Sequence, residues 1–564
     1  MLFSIIIISV NCIMCSIFPY ILFKARGICV HHHILVTGHL HEQAITALHQ
    51  LPRCTIHIQY DLSQDELLDH LANIHVLLTR SSTAVDKKVI DSAPHLKVVA
   101  RAGVGTGNID LSYASQKGIL VVNAPDKNTT SAAEMTATLL LAMARKLPQA
   151  YTEIKQGGWN RHLYTGVELH GKTIGIVGLG SVGSKMARIC QGLGMNVIAY
   201  DPYLAPQVFH NTHVKRIKSL EKLCEISHVL SLHVPLNQET KGMIRKDHLM
   251  MMPPDSFVLN TARGGVIDEK DLLHCLNDGP ISACGIDTWE NEPEGLNAKL
   301  TIHPKVYGTP HIGAATEEAQ LAVGITIVHQ IRKCLNKQVV DHPVNIPGFH
   351  QQGLSSPLQA YMVLAEKLAS LAVQISHFQP MHLSFSLPKT LQNSKANDLI
   401  ALAIQKGFLS PITEEFVSYA NASNILAAKG LTIEEGLHSP HPSPSHDNAL
   451  TFHLQGLKNT SVTLSGVVFD HKHPRITAIN HFRFEVKPQG TFLVFKNKDK
   501  PGVVGHVGTM LAKNAINIDS FYLSGNKQDG MAMAMVKLSH PLSGEQLQNM
   551  RSLSFMEQVR SVEL

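Results

Sequence analysis

Short runs of valine, isoleucine and leucine alternate with helical patterns along the chain from His33 to about Lys337. Strands buried on both faces and separated by amphipathic helices are typical of α/β domains with parallel sheets. The runs that we interpret as such strands lie at 34–37, 76–79, 97–100, 174–178, 197–200, 229–234, 257–261 and 282–286. Most of the chain is therefore predicted to have α/β architecture.

A different order of elements is predicted for the C-terminal segment, which begins at residue 491. Strand and helix patterns follow one another there at 491–495, 503–514, 516–523, 531–538, 543–552 and 555–563. This β-α-β-β-α-β order is the ferredoxin-like plan, and a module of this size suits ligand sensing better than a second enzyme. Upstream, 377–395 and 439–445 are rich in breakers of helices and strands, so both are predicted to be loops or linkers.

The composition restricts the class of protein. A chain of 564 residues has room for about three or four domains, and 44% apolar against 16% charged residues excludes global disorder. A formal charge of +5 without a basic block does not indicate nucleic-acid binding. Nine cysteines at irregular spacing favour free thiols in a reducing compartment, which indicates the cytoplasm, and no metal site is predicted.

The N-terminus is ambiguous. Residues Leu2 to Phe23 carry no charge, and Lys24 and Arg26 follow them. The stretch is long enough to span a bilayer, but it lacks the positive n-region of a secretory signal. The alternative is an extension that lies outside the folded unit. Since the first strand pattern begins at His33, we exclude residues 1–30 from the fold, and membrane attachment is not favoured.

A glycine-rich turn is the most informative local motif. Gly178, Gly180 and Gly183 form G-x-G-x-x-G between a strand pattern and a helix pattern, the context in which this spacing indicates dinucleotide binding. The glycines permit the tight turn, the approach of a pyrophosphate and close packing of helix on strand. The next strand ends in Asp201, whose carboxylate favours NAD over NADP. A chance glycine cluster in an ordinary β-turn-helix is the alternative.

Three later segments place reactive side chains after apolar strands. Loops at the carboxyl ends of parallel strands line the ligand crevice of such sheets, and Arg263, Glu292 and His311 all follow strand patterns. His311 is a candidate base for a hydroxyl proton, and Glu292 a partner for its other ring nitrogen. Arg263 is suited to bind a substrate carboxylate. Singly, each is equally typical of a cap, a turn or a charged surface; together, they predict hydride transfer from an alcohol.

These motifs resemble those of the D-2-hydroxyacid dehydrogenase family, and the resemblance covers nearly everything after residue 33. It is carried by Gly178–Gly183, Asp201-Pro, Thr261-Ala-Arg263-Gly-Gly, Asp287-x-x-x-x-Glu292-Pro and Pro310-His311-Ile-Gly. Further upstream it includes Thr79-Arg80-Ser81-Ser-Thr, Val99-Ala-Arg101-Ala-Gly-Val-Gly and Asn128-Thr-Thr-Ser-Ala-Ala-Glu134. Within the family, the chain is similar to the long-form members that act on a phosphoglycerate.

The resemblance implies a fold class and domain limits. We expect an α/β protein with a Rossmann-type NAD domain inserted in a flavodoxin-like substrate domain, an α+β intervening domain and a C-terminal ferredoxin-like ACT domain. The expected limits are 1–30 for the leader or a non-native extension, 33–126 with 316–342 for the substrate-binding domain, 127–315 for the NAD domain, 343–490 for the intervening domain and 491–564 for the ACT domain.

The resemblance also implies which residues contact the cofactor and perform the reaction. Hydride transfer is assigned to Arg263, Glu292 and His311. The expected NAD contacts are Gly178, Gly180, Ser181, Val182, Gly183, Asp201, Val234, Thr261, Ala262, Arg263, Asp287, His311, Gly313, Ala314 and Val104. Two of them, Val104 and Val234, stand where relatives often carry threonine, which removes hydroxyl contacts to the cofactor.

The choice of substrate depends on charge. Arg80 and Arg101 each end an apolar strand, and arginine offers two-pronged hydrogen bonds to phosphate. By resemblance, Arg80, Ser81 and Asn128 contact the substrate phosphate or carboxylate, with Arg101 nearby; structural ion pairing of the arginines is the alternative. The implied reaction is NAD-dependent oxidation of 3-phospho-D-glycerate to 3-phosphooxypyruvate, the first step of L-serine biosynthesis. The rivals are reduction of hydroxypyruvate, glyoxylate or another 2-keto acid, and an NAD-sensing protein like the corepressors of this fold.

The C-terminal module resembles an ACT domain, which implies L-serine as an effector bound between paired modules. Asp499 would receive the ammonium group and Asn517 would hydrogen-bond the effector, although both residue types are also common in plain turns. Paired modules and the family together imply a homodimer or homotetramer. The segment Val417-Ser-Tyr-Ala-Asn-Ala resembles the intervening domain of long-form members, and no chemistry is assigned to it.

Overall fold

The computed structural model describes most of the chain after the predicted leader. The described residues are 31–336, 338–346, 348–349, 354–391, 394–436, 449–457, 460–526 and 529–564. The predicted leader 1–30 and the predicted linker 439–445 lie outside them. None of the helices in these ranges combines the length and the apolar character needed to cross a bilayer.

Two compact units divide the chain. The first contains the residues up to His39, Thr46–Asn123 and Ile327–Leu564, and the second contains Leu40–Ile45 and Ala124–Thr326. The division after Thr326 falls inside a helix that the sequence analysis placed wholly in the discontinuous domain. The first part of this helix belongs to the second unit together with Leu40–Ile45, and Gly324 packs closely on Ala44 of that segment. An added Cβ on Gly324 would lie 2.5 Å from the Cβ of Ala44. The five domain limits themselves stay a prediction.

The N-terminal part of the first unit is a parallel sheet covered by helices. Its strands are β1 (His32–Val36), β2 (Cys54–Ile58), β3 (Val76–Thr79), β4 (Val98–Arg101) and β5 (Leu120–Val122). The strand order β2-β1-β3-β4-β5 is that of flavodoxin-like folds. The intervening helices are α1 (Glu42–His49), whose residues up to Ile45 belong to the second unit, α2 (Gln64–Asp69), α3 (Lys87–Asp91) and α4 (Leu111–Gln116).

The second unit is built on a seven-stranded parallel sheet. Its strands are β6 (Thr173–Val177), β7 (Asn196–Tyr200), β8 (Lys215–Arg216), β9 (Val229–Leu232), β10 (Ser256–Asn260), β11 (Ile281–Ile286) and β12 (Val306–Gly308). The order β12-β11-β10-β9-β6-β7-β8 reverses direction between β6 and β9, as in Rossmann folds. Ligands bind at such a switch point, beyond the carboxyl ends of the strands.

The helices of the second unit cover both faces of this sheet. They are α5 (Thr129–Arg145), α6 (Leu147–Lys155), α7 (Ser181–Gly192), α8 (Pro206–Asn211), α9 (Leu220–Ile226), α10 (Lys246–Met250), α11 (Glu269–Asp278) and α12 (Ala298–Thr301), followed by α13 (Glu317–Leu335), which continues into the first unit. Two buried apolar clusters, one on each face, include Ile176 with Leu259 and Val177 with Val258. Neighbouring residues of one strand thus enter opposite cores, which explains why these strands are continuous apolar runs.

A mixed sheet and three helices follow in the first unit. The helices are α14 (Ser356–Ile375), α15 (Ser394–Leu409) and α16 (Ala422–Ala428), and the strands are β13 (Pro380–Ser386), β14 (Ile433–Glu435), β15 (Leu450–Gly456), β16 (Ser461–Phe469), β17 (His473–Ile479) and β18 (Phe482–Val486). The loop predicted for 377–395 is therefore wrong over β13. Leu383 and Phe385 of this strand are 0% and 2% exposed, so burial outweighs the local breaker residues.

The C-terminal module has the predicted element order. It consists of β19 (Thr491–Lys498), α17 (Val503–Lys513), β20 (Ile518–Asn526), β21 (Met531–Leu538), α18 (Gly544–Arg551) and β22 (Met556–Glu563). The antiparallel sheet has the order β20-β21-β19-β22. Phe492 and Val494 share a core with Leu368 of α14, so this module packs on the preceding sheet. The predicted fold class is confirmed.

Candidate active site

The glycine turn after β6 has the shape that a pyrophosphate requires. Gly178 has a φ of +88°, and an added Cβ would lie 2.6 Å from the carbonyl oxygen of His233. A Cβ on Gly183 would lie 2.1 Å from the carbonyl oxygen of Gly178, whereas one on Gly180 would meet nothing within 4 Å. Two glycines thus permit close packing, and the third borders open space at the start of α7. Ser181 and Val182 begin that helix, whose first N–H groups are suited to bind phosphate.

Asp201 lies beside this turn. Its Oδ2 accepts a hydrogen bond from the Leu179 N–H at 3.0 Å, and its Oδ1 accepts one from the Tyr203 N–H at 3.0 Å. The carboxylate is therefore fixed at the end of β7, where adenosine ribose hydroxyls bind in dinucleotide folds. The side chain of Val234, after β9, borders Gly178 from the other side of the switch point. These residues fit a bound NAD.

Glu292 and His311 are in contact. Oε1 of Glu292 and Nδ1 of His311 form a hydrogen bond, and Oε2 of Glu292 accepts one from the Trp289 N–H at 3.0 Å. The side chains of His311 and Glu292 are 44% and 31% exposed, so the imidazole remains open to a substrate. Because the carboxylate occupies Nδ1, Nε2 is the ring nitrogen left for proton transfer.

The charges of Glu292 and Arg263 influence each other. Burial alone would raise the pKa of Glu292, but the hydrogen bonds from His311 and Trp289 and the charge of Arg263 hold it below its ordinary value. Burial lowers the pKa of Arg263, and the charge of Glu292 opposes that effect. Glu292 is therefore ionised at neutral pH and can stabilise an imidazolium.

Asp287 holds the loop that carries His311. The residue is buried, and its carboxylate accepts hydrogen bonds from the Thr309 hydroxyl at 2.7 Å, the Ile312 N–H at 2.8 Å and the Gly313 N–H at 2.7 Å. His311 lies between these anchors with a φ of +54°, a conformation that costs a non-glycine residue about 1–2 kcal/mol. We expected Asp287 only as a cofactor contact; its support of this loop was missed, because it depends on contacts distant in sequence.

The remaining expected residues of the second unit come after β10 and β12 or directly before α5. Thr261 Oγ1 is 2.6 Å from Thr136 Oγ1, and the Ala262 N–H donates to Asn260 Oδ1 at 3.2 Å. Ala314 is half-buried and follows the buried Gly313. Asn128 precedes α5, and its side chain makes no capping hydrogen bond, so the amide remains available to a ligand.

Comparison with known proteins agrees with this geometry. Residues 137–313 match the NAD binding domain of D-isomer specific 2-hydroxyacid dehydrogenases. A D-3-phosphoglycerate dehydrogenase of Methanocaldococcus jannaschii is 35% identical over 94% of this chain and 99% of its own length. The chain belongs to the D-isomer specific 2-hydroxyacid dehydrogenase family. It is an NAD-dependent oxidoreductase, and the expected cofactor is confirmed.

Further matches place this dehydrogenase in one branch of the family. Residues 357–480 match the intervening domain of D-3-phosphoglycerate dehydrogenase, which confirms the resemblance to long-form members. The D-3-phosphoglycerate dehydrogenase of Bacillus subtilis is 32% identical over 88% of this chain and 93% of its own length. A solved structure from Thermus thermophilus is 30% identical with a TM-score of 0.52, covering 55% of this chain and 99% of the other.

Four expected ligand residues of the dehydrogenase lie in its first unit. Arg80 follows β3, and its Nη1 donates to the carbonyl oxygen of His39 at 3.1 Å. Burial lowers the pKa of Arg80. Arg101 ends β4 with its guanidinium over Gly103, where an added Cβ would lie 1.6 Å from Nη1. The Val104 carbonyl oxygen accepts a hydrogen bond from Asn123, and Ser81 is exposed. Their roles toward substrate and cofactor stay predictions.

The two expected effector residues, Asp499 and Asn517, lie beside opposite ends of the strand β21. The Asp499 N–H donates to Gly530, just before β21, whereas the Asn517 carbonyl accepts from Ser539, just after it. An eight-residue strand spans about 25 Å, which is too far for both side chains of one module to contact the same amino acid.

Proposed function

We propose that this chain oxidises 3-phospho-D-glycerate to 3-phosphooxypyruvate with NAD, the first step of L-serine biosynthesis. The observation that carries the proposal is the contact of Glu292 with His311 at the edge of the sheet that also bears the glycine turn. The relatives named D-3-phosphoglycerate dehydrogenase support the substrate.

The reaction follows from the chemistry of three side chains. Bound NAD supplies the hydride acceptor. His311 takes the hydroxyl proton at Nε2, while Glu292 holds Nδ1 and stabilises the imidazolium that forms. Arg263 binds the substrate carboxylate and polarises the developing carbonyl. Arg80, Ser81, Arg101 and Asn128 supply the remaining contacts to phosphate and carboxylate.

Replacement of the base tests the catalytic assignment. His311→Asn should reduce the rate of NADH production from 3-phosphoglycerate about 100- to 10,000-fold, the contribution of general base catalysis. NADH binding, measured by fluorescence, should be retained. His303→Asn in the same unit is a matched control and should behave as the wild type. Unchanged turnover in His311→Asn would refute the assignment.

The substrate is tested separately. We expect kcat/KM to be much higher for 3-phosphoglycerate than for glycerate, and Arg80→Ala to reduce only the value for the phosphorylated substrate. Equal values would favour a hydroxypyruvate or glyoxylate reductase. Absence of activity with a panel of 2-hydroxy acids, together with tight NADH binding, would favour an NAD-sensing protein.

We also propose that L-serine regulates the enzyme through paired C-terminal modules. Since Asp499 and Asn517 of one module are far apart, a serine site that uses both requires two copies, with one residue from each. Asp499→Ala should abolish inhibition by serine without changing uninhibited turnover. Inhibition that persists in this variant would exclude Asp499 as the ammonium contact.

A homodimer or homotetramer is part of the same proposal. The second unit exposes large apolar side chains on and after α6: Leu147 (60%), Tyr151 (62%), Ile154 (55%), Leu163 (64%) and Trp159 (80%). Several large exposed apolar side chains within one short segment support an interaction site there. Light scattering should give a mass of at least two chains, and Trp159→Ser should lower it.

We further propose a cytoplasmic location, because each cysteine of the described ranges is a free thiol.

A further inference from the structure

Glu269 is a buried acid in the second unit for which the reaction described above has no role. It is the first residue of α11 and is 8% exposed. Helix capping does not require it, because Asp268 accepts hydrogen bonds from the N–H groups of Lys270 and Asp271. Burial raises the pKa of Glu269, so its place in the interior costs free energy that another interaction must offset.

The partner of Glu269 lies in the loop that carries Glu292. Oε1 of Glu269 accepts a hydrogen bond from the Glu290 N–H at 2.7 Å. The preceding N–H, that of Trp289, donates to Glu292 itself. Two successive N–H groups are therefore held by two glutamates, one of which is the partner of His311.

The loop that carries Arg263 packs against the same backbone. An added Cβ on Gly264 would lie 1.9 Å from the carbonyl oxygen of Trp289 and 2.7 Å from the nitrogen of Glu290. Glu269, the first residue of α11, directly follows the connection 261–268 from β10, which contains Arg263. The hydrogen bond from the Glu290 N–H to the Glu269 carboxylate thus connects the segment that contains Arg263 with the loop that contains Glu292. It lies where the backbones of the two segments are in contact.

We propose that Glu269 is a positioning residue for the proposed dehydrogenase reaction. It acts through the Glu290 N–H, which fixes the loop and thereby the contact of Glu292 with His311. This role rests on the proposed function, but the position of the loop can also be measured without turnover.

Loss of the carboxylate has defined consequences. In Glu269→Ala the half-buried Glu290 N–H loses its acceptor, which favours a shifted loop. Glu292 then loses part of its hydrogen bonding, so its pKa rises toward the ordinary value. We expect kcat to fall about 10- to 100-fold, the range for loss of one or two such interactions, with little change in KM. The pH profile of kcat should differ from that of the wild type, because the carboxylate that stabilises the imidazolium is no longer held in place.

The experiment compares three variants. Glu269→Ala removes the acceptor, whereas Glu269→Gln retains an amide oxygen and should restore most of kcat and the pH profile. Asp271→Ala is a matched control, since this residue of the same helical turn accepts the Lys246 N–H at 2.9 Å, away from the reacting groups. It should lower thermal stability without affecting kcat or the pH profile.

Hydrogen exchange provides a readout that does not depend on activity. Peptides that cover residues 288–293 should exchange faster in Glu269→Ala than in the wild type, Glu269→Gln or Asp271→Ala. The proposal is overturned if exchange in this segment is unchanged in Glu269→Ala, or if its kcat and pH profile equal those of Asp271→Ala. An inactive wild type would refute the proposed function, and the exchange result would still decide whether Glu269 holds the loop.

Discussion

Asp287→Asn should separate support of the His311 loop from contact with the cofactor. The carboxylate accepts three hydrogen bonds, from the Thr309 hydroxyl and from the N–H groups of Ile312 and Gly313. Asparagine preserves the size of the side chain but turns one acceptor oxygen into an NH₂ group. That group would face a backbone N–H, so one donor is left without a partner and the other bonds lose their charged acceptor.

The magnitude follows from these bonds. A hydrogen bond to a charged group contributes about 1.5–3 kcal/mol, and an unsatisfied buried N–H costs about 1–3 kcal/mol. We therefore expect a loss of about 3 kcal/mol in the stability of the loop. Because His311 depends on this loop for its left-handed conformation, most of the loss should appear in the transition state, as a fall of about 100-fold in kcat. Thr309→Val removes one bond only and should cost about 10-fold.

Steady-state kinetics and NADH fluorescence titration together provide the assay. Support of the loop predicts a lower kcat in Asp287→Asn with NADH affinity nearly unchanged, and an intermediate kcat in Thr309→Val. A weakened NADH affinity with normal kcat at saturation would instead assign Asp287 to the cofactor. Wild-type values of both quantities would refute the reasoning.

Three further predictions concern other parts of the chain. Asp201→Ser removes the carboxylate beside the glycine turn, so the ratio of kcat/KM for NADP to that for NAD should rise at least about 10-fold; an unchanged ratio contradicts the ribose contact. Burial and Lys97 lower the pKa of His75 to about 4 from 6.5, so the unfolded state binds the proton first as the pH falls. The melting temperature should therefore decline from pH 6.5 toward 4, and less steeply in His75→Gln; equal slopes would show that His75 contributes nothing. Burial alone would raise the pKa of Glu366, but Lys406, whose Nζ lies 2.8 Å from both carboxylate oxygens, holds it below its ordinary value. Glu366→Gln should thus destabilise the protein by about 2–3 kcal/mol near neutral pH, which is less than the loss for a fully buried pair. The difference in stability between the wild type and the variant should shrink when the pH falls below the ordinary glutamate pKa. A difference in melting temperature that stays constant with pH would argue against the ion pair.

The parallel sheets and the cofactor turn were predictable because their signals are local. A strand buried on both faces must be apolar throughout, and a turn against a pyrophosphate must have glycine at set positions. Asp201 was likewise indicated by its place at the end of the next strand. The C-terminal module was predictable for the same reason, since its strands and helices are short, regular and separated by clear turns.

β13 was not predictable from its own residues. Pro380 and the neighbouring polar positions favour a loop, and the strand forms because Leu383 and Phe385 enter a core built by elements distant in sequence. Segment composition contains no information about such a core.

The sequence by itself determined which chemical groups are present and that they follow strands: an imidazole, a carboxylate and a guanidinium beyond a nucleotide turn. Only the tertiary structure decided how they are held. The contacts of Glu292 with His311, of Asp287 with Gly313 and of Glu269 with Glu290 join loops that follow different strands. Their geometry depends on the order and register of β10, β11 and β12, which long-range packing sets and which no local pattern encodes.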